Sequence, residues 1–66
     1  MKPFVNVDIP MPQDMLDALS IFEAYCIGSR IQQVTAETVT NFLLLNYSKE
    51  LASTFKPEYL FSSQEI

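Results

Sequence analysis

The chain has 66 residues, 48 % of them hydrophobic, and 4 Lys plus Arg against 8 Asp plus Glu, a formal charge of −4. So short a chain forms one small domain and buries only about 60 % of the surface its unfolded form exposes. One Cys and no His exclude an internal disulfide, a His-bearing zinc cage and the Ser–His and Cys–His nucleophile pairs. A single glycine excludes a glycine-rich phosphate loop. We therefore expect no enzyme, no cofactor and no metal site. An unstapled chain this apolar is expected to cover its surface in an oligomer.

Residues 3–9, Pro-Phe-Val-Asn-Val-Asp-Ile, alternate from Val5: Val5, Val7 and Ile9 on one face, Asn6 and Asp8 on the other. That is the period of a half-buried strand. Lys2 and Phe4 join the second face, and Pro10 ends the ladder because it has no N–H to donate. No second alternating run follows. The economical partner is the same strand of a second subunit, paired across a two-fold axis.

The first helix is predicted over 12–27. Pro12 suits the first turn, and Asp14 and Asp17 complement the positive end of the helix dipole. Met15, Leu19, Phe22 and Cys26 recur at helical spacing and make an apolar stripe. Gly28 is a natural stop through the left-handed conformation. Cys26 reads as a small buried hydrophobe suited to a reducing cytoplasm. Residues 28–34 form a connection with no strong period.

The second helix is predicted over 35–52, with Thr35 as N-cap and Glu37 in the first turn. Ala36, Val39, Leu43 and Tyr47 form its central stripe, widened by Phe42 on one side and by Leu44 and Leu51 on the other. About half the circumference is then apolar, so this helix is expected to pack on the first helix and on a copy of itself. The expected dimer interface is Val5, Val7, Ile9, Val39, Phe42, Leu43 and Tyr47. Residues 53–66 form a tail in which Phe55, Tyr59, Leu60 and Phe61 surround the breaker Pro57. Those aromatics either bind a partner or fold back over the chain's own dimer. The longest apolar run, Phe42 to Leu45, is far short of the ~20 residues of a membrane helix. No targeting leader is read either, so a cytoplasmic location is expected.

Strand, helix, helix, with Phe4-Val5-Asn6-Val7-Asp8-Ile9-Pro10 opening, Met15, Leu19 and Phe22 in the first helix and Thr35 to Leu51 as the second, resembles the ribbon-helix-helix family. These are small phage and plasmid repressors and many antitoxins. The resemblance implies a mainly α fold with one short N-terminal strand. It implies an intertwined β-α-α homodimer over 1–52, held by a two-stranded antiparallel intersubunit ribbon. It also implies a transcriptional regulator or antitoxin whose ribbon enters the DNA major groove. The reading face is then Lys2, Phe4, Asn6 and Asp8. The amides after Thr35 hold a phosphate, with Arg30 nearby.

Charge works against that function. Operator DNA is possible as a partner but disfavoured, since a dimer would carry 2 × (4 − 8) = −8 and phosphate neutralisation supplies much of DNA affinity. The alternative is an acidic protein-interaction module, a phage-type inhibitor or adaptor, that keeps the dimer fold and does not bind DNA.

Overall fold

The computed structural model describes residues 3–31 and 33–61. Three α-helices and a short 3-10 turn follow one another: α1 (Gln13–Gly28), α2 (Ala36–Asn46), α3 (Lys49–Thr54) and the turn Pro57–Tyr59. Among the described residues there is no strand and no sheet. The expected β-α-α ribbon is thereby corrected to a helical fold whose extended pairing is one isolated antiparallel bridge, Val5 with Leu60.

The physical reason lies in where the N-terminal backbone groups go. The Asn6 N–H donates to the Tyr59 carbonyl at 2.7 Å, and the Phe61 N–H donates to the Phe4 carbonyl at 2.9 Å. The Phe4 and Val5 N–H groups both donate to one carboxylate oxygen of Glu23 on α1, each at 2.9 Å. The Phe4, Val5 and Asn6 amides, which a second subunit's strand would have to satisfy, thus have partners in the same chain, and the pairing that a ribbon would supply is made internally. The segment then turns. The Ile9 N–H donates to the Asn6 carbonyl, and the Asp8 N–H donates to Asn6 Oδ1, both at 3.2 Å. Asn and Asp favour such turns because their short side chains bond the local backbone. The turn breaks the alternation: Phe4 and Val5 are buried, Val7 is 68 % exposed and Ile9 is half-buried.

Helix α1 buries Met15, Ala18, Leu19, Phe22 and Cys26, the predicted stripe plus Ala18. Its end corrects the expectation for Gly28, which is the last helical residue and has no positive φ. The left-handed position falls on Arg30, at φ 59°. The Ile31 N–H reaches the Cys26 carbonyl at 3.0 Å and the Arg30 N–H reaches that of Ile27 at 3.2 Å. Those are the two bonds of a Schellman cap, and they turn Ile31 back against the core.

Thr35 caps α2, its side chain accepting the Thr38 N–H at 3.2 Å. The predicted helix 35–52 is interrupted at Tyr47, where φ is −128° and ψ −105°. Ser48 restarts the chain as α3 by accepting the Leu51 N–H at 3.0 Å, with Glu50 in the first turn. A serine that caps satisfies a helix-start amide that the continuous helix would not have left open. Lys56, forced extended by the following proline, leads into Pro57–Tyr59, and the chain returns to Val5.

One core results: Phe4, Val5, Met15, Ala18, Leu19, Phe22, Cys26, Val34, Val39, Leu43, Tyr59 and Leu60. Phe4 and Val5 before the helices and Tyr59 and Leu60 after them therefore contribute to the same interior as the helices. Among the described residues no buried side-chain polar atom lacks a hydrogen-bond partner.

Candidate functional site

The residues expected to contact DNA are placed as follows. Phe4 is fully buried, packed edge-on to Phe22 with ring centroids 6.0 Å apart. Asn6 uses its side chain to hold the turn. Arg30 sits at the α1 C-terminal cap and Thr35 caps α2 with its own hydroxyl. Lys2 lies outside the described residues. Of the expected dimer contacts, Val5, Val39 and Leu43 are buried in the chain's own core and Ile9 and Phe42 pack against it. Val7 and Tyr47 are exposed. In the tail, Tyr59 and Leu60 are core residues, Phe55 packs on the core, and Phe61 remains exposed. Phe55 and Tyr59 meet edge to face at 6.0 Å.

What the fold assembles instead is a trough between α1 and the α2–α3 arm. Its larger hollow, ≈ 660 Å³, is lined by Ile21, Tyr25, Phe42, Asn46 and Tyr47 and open to solvent. The floor is a chain of rings rooted in the core. Phe42 stacks on Phe22 at 4.3 Å and 27°, and Tyr47 tilts against Phe42 at 5.7 Å and 57°. Offset stacking of this kind holds rings in place beyond what area burial alone does. Asn46 is held as well, its amide donating to the Phe42 carbonyl at 3.1 Å. Ile21 and Tyr25 stand on the rim, 58 % and 60 % exposed. They are one turn apart on α1, on the flank of the buried stripe away from Glu23 and the N-terminal segment.

A smaller hollow, ≈ 190 Å³, is lined by Asp14, Ser48, Glu50, Leu51 and Thr54. It too is lined by α1 on one side and by the α2–α3 arm on the other, and the arm passes from the first hollow at Tyr47 to the second at Ser48. Asp14 is seven residues before Ile21, two turns along the same face of α1. The trough thus has an aromatic end and an acidic end, and among the described residues no lining residue at either end is basic.

Sequence reasoning missed Ile21, Tyr25 and Asn46. The signal was present in α1: two large apolar residues at i and i+4 lying off the buried stripe. Among the described residues no group of three or more His, Cys, Asp or Glu could hold a metal, and no helix is long and apolar enough to cross a membrane. Cys26 is fully buried, and burial raises its thiol pKa above the ordinary value. Comparison with protein-family models, with curated proteins and with solved structures finds no match for this chain.

Proposed function

We propose that this chain is a small acidic protein-interaction module, of the inhibitor or adaptor kind, that receives an apolar segment of another protein in the trough between α1 and α2. The observation that carries this reading is the aromatic hollow of Ile21, Tyr25, Phe42, Asn46 and Tyr47. Tyrosine and other aromatics in a pre-set hollow are the residue types that dominate binding energy at protein interfaces. The formal charge of −4 repels nucleic acid and favours a protein partner. The single thiol, Cys26, suits a reducing cytoplasm.

The test is site-specific photocrosslinking in the cells that make the protein. A photoreactive phenylalanine analogue at Tyr25 stands on the rim of the hollow; the same analogue at Ser20 stands on the far side of α1. One discrete protein adduct from position 25, absent from position 20, is the expected result. Equal adducts from both positions, or none from position 25, would remove the reading.

A further inference from the structure

We propose that the occupant of the trough is a basic amphipathic helix of the partner protein. It places one large apolar side chain in the aromatic hollow and a Lys or Arg two turns away, opposite Asp14 and Glu50. This rests on the interaction-module reading above and specifies its partner.

Charge complementarity is the first argument. Among the described residues the aromatic end is lined by Ile21, Tyr25, Phe42, Asn46 and Tyr47, with no acid. The other end, further along α1 and the arm, is lined among the described residues by two acids, Asp14 and Glu50, and no base. Asp17 is exposed one turn from both Gln13 and Ile21 and accepts the Gln13 side-chain amide at 2.8 Å. Lys49 precedes Glu50 in α3 but does not line the hollow. A purely apolar occupant would desolvate the two carboxylates without compensation, and an acidic one would meet like charge.

Spacing is the second argument. Asp14 and Ile21 are seven residues apart on one helix, about 10.5 Å along its axis at 1.5 Å per residue. An occupant lying along the trough must present an apolar group and a cation at that separation on one side. A helix does so with residues i and i+7. An extended strand covers about the same distance in three residues, but i and i+3 of a strand point to opposite faces. A helix laid by its apolar face in a groove is an established mode of recognition. A second copy of this chain is disfavoured because it brings −4 against −4, and the N-terminal segment already has its partner within the chain.

The experiment titrates the full, isotope-labelled chain with two synthetic alanine-based helical peptides and follows amide shifts by NMR. Both peptides carry one Phe; the first has Arg at i+4 and i+7, the second Glu at the same places. The expected result is that the basic peptide shifts Ile21, Tyr25, Asn46 and Asp14. Its affinity should fall about two- to fivefold with each of Asp14→Asn and Glu50→Gln, the range for exposed charge pairs, and further with added salt. Equal binding of both peptides at the trough, with neither substitution having an effect, would overturn the basic partner and leave the interaction reading standing. Binding of neither, with concentration-dependent dimers that Ile21→Asp dissolves, would make the second copy the occupant and overturn the proposal. Binding of neither with a monomer at all concentrations would overturn both.

Discussion

Replacing Glu23 by Ala is expected to release two segments at once, Phe4 to Asn6 and Tyr59 to Phe61. The Glu23 carboxylate takes two backbone N–H groups at 2.9 Å. Those groups belong to Phe4 and Val5, whose side chains are buried in the core. Hydrogen bonds to a charged group contribute about 1.5–3 kcal/mol each. Glu23 is half-buried, so the lower end of that range applies, and the two bonds together come to about 3 kcal/mol. At about 0.05–0.15 kcal/mol per residue a chain of this length has only about 3–10 kcal/mol in all. Glu23→Ala therefore removes a large share, and Glu23→Gln, which keeps an oxygen acceptor and loses the charge, removes about half as much. The glutamine variant should melt roughly 6–12 °C lower, given about 4–8 °C per kcal/mol for a domain of this size. Urea unfolding followed by circular dichroism measures both. Hydrogen exchange at the Asn6 and Phe61 amides reports whether the bridge to Tyr59 and Phe4 opens with them. An alanine variant within about 0.5 kcal/mol of wild type, with exchange at those two amides unchanged, would refute the account of why the segment folds inward.

Ending the chain after Thr54 removes Tyr59 and Leu60 from the core together with the bridge to Val5. The shortened chain should lose its cooperative urea transition; an unchanged midpoint would show the tail to be dispensable. Cys26 is fully buried and its thiol pKa is raised by desolvation, so thiolate is scarce at neutral pH. A thiol reagent should label it only as fast as the chain unfolds, and rapid labelling in buffer would contradict the packing. Arg30 holds the left-handed position of the α1 cap at φ 59°. A β-branched side chain is poorer there than an unbranched one, so Arg30→Val should lower the urea midpoint, and an unchanged midpoint would count against the cap assignment.

How legible the fold was depends on how local each cause is. The α1 stripe of Met15, Leu19, Phe22 and Cys26 follows from spacing alone, and Thr35 announced its helix by residue type. The break at Tyr47 was hidden because Tyr47 and Leu51 both continue the apolar stripe. The competing signal, Ser48 followed by Glu50, was a helix start that periodicity outweighed. The N-terminal segment departs from its pattern for a different reason. Val5, Val7 and Ile9 alternate, but Asn6 and Asp8 between them are turn formers, and the turn prevailed. The bonds that hold the segment come from Glu23 and from Tyr59 to Phe61, which are distant in sequence. No periodicity reports such pairings. The trough was illegible for a related reason. Its aromatic end needs α1 and α2 side by side, and its acidic end needs the chain to bend at Tyr47 so that Glu50 comes to Asp14.

Closure of the N-terminal segment within one chain changes what the exposed apolar residues mean. An unpaired strand would have required a second copy, and the surface of α2 would have been its interface. With the amides of Phe4, Val5 and Asn6 satisfied at home, Val39 and Leu43 serve the chain's own interior. Leu44 and Leu45, 48 % and 82 % exposed, lie off the buried Val39–Leu43 face of α2, and scattered exposed leucines need no partner. Ile21 and Tyr25 differ because Phe42 and Tyr47 extend them into one hollow with a floor fixed by stacking. That floor runs through Phe22 to Phe4, so the hollow is only as well formed as the N-terminal closure. Glu23 is therefore a positioning residue for the trough as well as a stabilising one. Phe42 and Tyr47 amide shifts should move in Glu23→Gln even though Glu23 lines neither hollow. If they stay in place while the Asn6 and Phe61 amides open, the hollow is independent of the bridge and the ring chain is not what sets it.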